Sequence, residues 1–260
     1  MRAAAPLVHN ITNFVVMTPT ANALLAAGAA PAMLHAPEEV AEFAAIASAL
    51  VVNIGTLTAA ARDAMVLAVR AARDAGRPWV LDPVAGGVTA FRRETVAQLL
   101  CEGPAVVRGN ASEIIAASIG ASAGRGVDAA NGVDEAAVHA DALARRIGAT
   151  VVVSGPVDYI TDGTRAVEVA NGVEMMTRIT GTGCTCTALI GAFLGAGLPG
   201  LEAATAAMVL MGVAGEVAAQ GNPGPGTFAV RLTDALAALR PKDLDQRGRY
   251  ALRLTGTLAA

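Results

Sequence analysis

Leu50-Val51-Val52-Asn53-Ile54-Gly55, the stretch from Thr58 to Gly76, and Trp79-Val80-Leu81-Asp82-Pro83 follow one another within residues 50–83. The β-branched run 50–54 predicts a strand that Gly55 ends. Thr58 is a good N-cap, so 58–76 predicts a helix closed by Gly76. Residues 79–82 predict a second strand, stopped by Pro83. A strand, a helix and a strand in that order place the two strands parallel, with the helix on one face.

The same alternation extends in both directions. Upstream, the sequence predicts an extended entry at 6–11, a helix at 13–28, a short strand at 29–34 and a helix opened by Pro37-Glu38-Glu39. Downstream it predicts a helix at 89–100, a strand at 105–108, a helix opened by Asn110, a helix at 134–147 and a strand at 150–153. Asp162-Gly163 marks a hairpin between 157–161 and 164–169. Apolar helices are predicted at 183–197, 200–220 and 226–239. Residues 120–132, rich in Gly, Ala and Ser, read as a mobile surface loop. Residues 241–260 receive no element and are expected as a C-terminal tail, in part disordered. The fold class is therefore α/β: three layers, with a mostly parallel central sheet flanked by helices on both faces.

Ligands of such a sheet lie beyond the C-terminal ends of its strands. Asn53, Asp82, Arg108 with Asn110, and Ser154 all stand at those ends. Each alone fits ordinary turn or cap chemistry; together they point to one composite site. Thr180-Gly181-Thr182-Gly183-Cys184-Thr185-Cys186 then reads as a glycine loop feeding a helix N-terminus. That end suits a phosphate, and its field is expected to ease ionisation of the Cys184 thiol. A Walker A loop is excluded, because no Lys-Ser or Lys-Thr follows. Asn110-Ala111-Ser112-Glu113 fits a capping box; it also fits a hard-cation site in which Glu113 and Asp82 organise Mg²⁺. Arg108 could neutralise phosphate charge. These parts are those of phosphoryl transfer.

Composition narrows the classes. Among 260 residues aromatics are 3% and the net charge is −3, with no basic cluster, so nucleic-acid binding is not expected. Mean hydropathy is high, +0.51. The most apolar region, 188–219, is interrupted by Pro199-Gly200 and holds Glu202 and Glu216, which predicts buried helices instead of membrane spans. Three cysteines without CxxC spacing suit a reducing cytoplasm. Cys101 and Cys186 read as inert buried thiols. No secretory signal is read at residues 1–6. No GxSxG elbow marks a serine hydrolase.

The chain resembles the hydroxyethylthiazole kinases of the ribokinase-like superfamily. The resemblance rests on Val8-His9-Asn10-Ile11-Thr12-Asn13, Thr20 to Leu25, His35 to Val40, Asn53-Ile54-Gly55-Thr56-Leu57, Leu81-Asp82-Pro83-Val84, Arg108 to Glu113, Val157-Asp158-Tyr159, Thr180 to Cys184, and Gly224-Pro225-Gly226-Thr227-Phe228. It implies a single ribokinase-like kinase domain over residues 1–240. It implies ATP-dependent phosphorylation of the primary hydroxyl of 4-methyl-5-(2-hydroxyethyl)thiazole, a thiamine salvage step. It also implies a homotrimer with active sites at subunit interfaces. By motif match, Met33, Gly181 and Asn13 would meet the thiazole, Arg108 and Ser154 the ATP, and Asp82 and Glu113 the Mg²⁺. Cys184 stands where many relatives carry an aspartate base. Ala85-Gly86-Gly87-Val88 departs from the Gly-Val-Gly-Ala more usual in the family, beside Asp82.

Overall fold

The structure, a computed structural model, describes residues 1–120 and 132–255. Nine strands form one sheet in the order β2-β1-β3-β4-β5-β6-β7-β8-β9. The first six are β1 (Leu7–Ile11), β2 (Ala30–Ala32), β3 (Ala49–Asn53), β4 (Trp79–Asp82), β5 (Val106–Asn110) and β6 (Thr150–Ser154). Their neighbours pair in parallel. The expected strands and helices are found, with ends shifted by a few residues. Of the 120–132 loop expectation, residues 121–131 lie outside the described residues.

Strand parity decides what each layer covers. Val51, Val80, Val106 and Val152 join one core with α1 (Met17–Ala27), α7 (Thr182–Gly195), α8 (Gly200–Ala218) and α9 (Pro225–Ala238). Leu50, Val52, Trp79, Leu81, Val107, Val151 and Val153 join the other. That second core is covered by α2 (Val40–Ile46), α3 (Ala59–Asp74), α4 (Ala90–Leu100), α5 (Ala111–Ile119) and α6 (Val133–Ile147). Successive side chains alternate faces. Asn53, Asp82, Arg108 and Ser154 therefore all turn toward the layer that contains α7. Small residues let α7 settle close to the sheet: a Cβ at Gly191 would stand 2.6 Å from Val51 Cγ2. By length and apolarity α8 could cross a membrane, but 72% of its most apolar window is buried inside the fold.

Local signals act as the sequence suggests. Thr58 and Thr89 accept from Ala61 N and Arg92 N at the starts of α3 and α4. Gly28 closes α1 with φ 91°, a conformation that glycine adopts without steric cost.

The C-terminal third departs from simple alternation. β7 (Asp158–Thr161) and β8 (Arg165–Val169) form the expected hairpin. Residues 241–255, expected as a tail, form α10 (Pro241–Arg247) and β9 (Tyr250–Leu254), the latter antiparallel to β8 at the sheet edge. A polar junction fastens this segment. Asn171 Oδ1 accepts from Arg249 N at 2.7 Å, and Asn171 Nδ2 donates to Arg247 O at 2.9 Å. Glu216, on α8, accepts from Gly172 N at 2.9 Å and from Arg249 Nη2 at 2.7 Å. These bonds hold its carboxyl below the usual range although burial opposes that.

Candidate functional site

The loop before α7 forms the centre of the site. Gly181 caps the helix at φ 89°, and a Cβ there would stand 2.9 Å from Val16 Cγ1. Both facts call for glycine. Thr182, Gly183 and Cys184 occupy the first turn, whose amide groups have no acceptor within the helix, and the turn lies beside Arg108 at the end of β5. A Cβ at Gly183 would stand 2.6 Å from Arg108 Nη1, so this glycine lets the guanidinium lie against the helix start.

Beneath that turn runs a line of hydrogen bonds. Asn13 Nδ2 donates to Asn53 Oδ1 at 3.0 Å and reaches Cys184 Sγ at 3.5 Å. Asn53 Nδ2 donates to Asp82 Oδ2 at 2.8 Å, and Thr187 Oγ1 donates to the same oxygen at 2.8 Å. Asp82 is buried, and its Oδ1 has no partner. Burial pushes its carboxyl up to about 6, with Arg108 opposing. The Cys184 thiol is pushed up, first by burial and then by the Asp82 charge, while bonds from Asn53 and Asn13 oppose this. The expectation that its ionisation is eased is therefore corrected: desolvation first, and then a neighbouring acid, raise the thiol.

Arg108 and Ser154 line a cavity of about 550 Å³ together with Asp158, Gly183, Asn171 and Met208. Arg108 Nε is buried without a hydrogen-bond partner. Burial works against its charge, but Asp82 foremost, then Cys186, Glu113 and Asp158, favour it. Ser154 Oγ donates to Gly109 O at 3.2 Å. Asp158 accepts from Gly155 N at 3.0 Å, and burial pushes its carboxyl up to about 6. Cys186 is buried and pushed up to about 12, as expected of an inert thiol. Cys101, expected to be buried as well, is exposed at the C-cap of α4, one position past the buried pair Leu99 and Leu100.

Glu113 completes the capping box: Asn110 N donates to its Oε2 at 2.8 Å and Asn110 Oδ1 accepts from Glu113 N at 3.0 Å. Its Oε1 accepts from Ala85 N at 2.9 Å. Glu113 thus also pins the loop after Asp82, where Ala85 takes φ 53°. Met33 follows edge strand β2. His35 ties it to the end of β1, with Nδ1 3.1 Å from Met33 O and Nε2 2.9 Å from Thr12 O. Asn13, Asp82, Arg108, Ser154, Gly181 and Cys184 thus gather around one helix start, flanked by Glu113. Among the described residues no three His, Cys, Asp or Glu side chains form a metal cage. Sequence reasoning gave Asn53 no role beyond its strand end, named Asp158 only within a matching segment, and missed Thr187. Only the turn spacing from Cys184 could have pointed to Thr187.

The hydroxyethylthiazole kinase family model matches residues 1–242. The chain belongs to the hydroxyethylthiazole kinase family. A hydroxyethylthiazole kinase of Rhizobium etli is 54% identical over 253 residues, covering 97% of this chain and 98% of that protein. The solved structure of a hydroxyethylthiazole kinase protein from Pyrococcus horikoshii is 43% identical, covers 97% of this chain and 95% of its own, and superposes with a TM-score of 0.89. A Staphylococcus aureus pyridoxal kinase in complex with ADP shares the fold at 16% identity, with a TM-score of 0.68 over 96% of this chain and 98% of its own. The family is one of kinases, and the ribokinase-like fold expected from sequence is the fold found.

Proposed function

We propose that this chain transfers the γ-phosphoryl group of ATP to the primary hydroxyl of 4-methyl-5-(2-hydroxyethyl)thiazole, a step of thiamine salvage. The observation that carries this reading is the buried Arg108 guanidinium, its Nε without a partner, lying against the first turn of α7. Two donors of positive potential meet there at one end of a large cavity. Arg108, Ser154 and the α7 amides hold the phosphates. Asn13, Gly181 and Met33 contact the thiazole alcohol. The hydroxyl oxygen forms the new bond to phosphorus, the bond to the ADP oxygen breaks, and the proton passes to Cys184 as thiolate. Most of the acceleration comes from positioning and charge stabilisation.

The donor set fits Mg²⁺. Asp82 Oδ1 is an orphaned buried oxygen, and Mg²⁺ is held by one or two carboxylates with waters and phosphate oxygens. Asp82 would hold it directly, and Glu113 through water, since each Glu113 oxygen already accepts a backbone amide. When bound, the cation neutralises phosphate charge. It also offsets the Asp82 charge that raises the Cys184 thiol.

The chain acts as a homotrimer with its sites at subunit interfaces. Phe14 and Val15 support this: they are 67% and 62% exposed, immediately after Asn13, an apolar lip beside the site. Its place is the cytoplasm, which suits three free thiols.

Coupled ADP release is measured with the thiazole alcohol, with and without Mg²⁺, and with pyridoxal as control. Thiazole-dependent, Mg²⁺-dependent turnover is expected. ADP released equally without the alcohol, or faster with pyridoxal, defeats the reading. Light scattering at micromolar concentration is expected to give a trimer; an active monomer removes the shared site.

A further inference from the structure

The hydrogen bonds beneath α7 close on themselves. They run from Thr187 to Asp82, to Asn53, to Asn13 and back to Cys184. Cys184 and Thr187 are three residues apart on one helix, so both ends of the line rest on one face of α7. Asn53 has a single satisfactory amide orientation. Its Oδ1 accepts from Asn13 Nδ2 and from Gly55 N at 2.9 Å, while its Nδ2 faces the Asp82 carboxylate. Flipping it would oppose donor to donor and oxygen to oxygen. Asp82 in turn has one orientation. Oδ2 receives two donors, and Oδ1 is left buried and free.

We infer that Thr187 and Asn53 are positioning residues for the transfer. They lock the Asp82 carboxylate so that Oδ1 alone faces the ligand, and they hold Asn13 and Cys184 in the same frame. This rests on the proposed reaction. The fold itself does not require the Thr187 hydroxyl to meet Asp82. Gly183 O lies 3.3 Å from Thr187 Oγ1 and could accept that hydrogen alone, as a hydroxyl one helical turn on often donates. The charge-assisted bond at 2.8 Å is the shorter one. Thr187 is fully buried, so valine would fill the same space without the donor.

The test compares Thr187→Val with Thr187→Ser. Melting temperatures, kcat, the two KM values and the gain in ADP affinity on adding Mg²⁺ are measured. Thr187→Val is expected to fold, to melt a few degrees lower because a buried carboxylate loses one donor, and to lose about tenfold in kcat, the worth of one charge-assisted bond. Its KM for the thiazole alcohol stays within about twofold, and its Mg²⁺-dependent gain in ADP affinity shrinks several-fold. Thr187→Ser is expected to restore both within about twofold. A fully active Thr187→Val, or a Thr187→Ser as impaired as the valine variant, overturns the proposal, since the latter marks a packing role. Should the valine variant not fold, Thr187→Ala replaces it. That variant also removes the donor to Asp82, so wild-type kcat there equally overturns the idea. If the wild type shows no thiazole-dependent turnover, the reaction reading fails separately. The Mg²⁺–ADP calorimetry then decides the positioning alone: an unchanged gain in Thr187→Val rejects it.

Discussion

At Cys184 two influences oppose each other. Burial and Asp82 favour the thiol; bonds from Asn53 and Asn13 and the Arg108 charge favour the thiolate, and the former prevail. Turnover is therefore expected to rise with pH above neutrality in a kcat profile, as the thiol side of the balance is left behind. Cys184→Ala should fall roughly 10²-fold in kcat, the low end for loss of a positioned base, and stay measurable. Cys184→Asp should exceed it, because a carboxylate ionises more readily; alanine faster than aspartate would remove the base role. Asp158 gives a stability prediction. Its carboxyl is raised from 3.8 to about 6 in the folded chain. The folded state therefore binds that proton more tightly, and this contribution is present below pH 4 and lost as pH rises through about 6. Asp82 acts in the same direction. Asp158→Asn, which keeps an acceptor for Gly155 N, should lose less stability than wild type between pH 4 and 7, by on the order of 2 kcal/mol. Parallel melts across that range check it; identical slopes refute it. Cys184 also shows where sequence reading stops. A helix end after two glycines is visible in the chain, but the burial that raises the thiol comes from the packed fold, and the acid that adds to it lies about a hundred residues away.

At the scale of elements, α7 and the strand ends were largely legible. Asn53, Asp82 and Ser154 each follow an apolar run, one or two residues before a glycine or proline, and the pairing of Asn53 with Asp82 and of Asn110 with Ser154 aligns them. The start of α7 was legible from Gly181 and Gly183. What could not be read was the purpose of Gly183, which the structure gives as room for Arg108. Gly183→Ala should fold, because the obstructing atom ends a flexible side chain. It should displace the guanidinium and raise KM for ATP about tenfold, the order expected for one charge-assisted contact, with a smaller effect on the thiazole alcohol. Steady-state titrations of both substrates check this; equal effects on the two would separate Arg108 from the nucleotide. Glu113 belongs to the same scale. Both its oxygens accept backbone amides, so Glu113→Gln sets an amide against a donor and is expected to lower melting as well as turnover.

At the scale of the molecule, the least legible part was the C-terminal stretch. Tyr250–Leu254 is exposed throughout, so no burial pattern distinguishes it from a tail, and its partner β8 lies some eighty residues back. Local propensity cannot reveal such a pairing. Its anchor, Arg249, bonds Glu216 and Ala170 O beside Asn171, which lines the large cavity. Arg249→Ala should cost about 1–2 kcal/mol, the value of a partly exposed charged pair with added backbone bonds, and raise KM for ATP several-fold while sparing the alcohol. Calorimetry of ADP binding, set beside melts, checks this; unaltered affinity would detach the segment from the cavity. The same junction sets an order in time. The ribosome makes Asn171 and Glu216 well before Arg249, so a growing chain carries the cavity wall without its fastening. A polypeptide halted before Arg249 therefore lacks the bonds from Arg249 to Asn171 and Glu216 that fasten this wall.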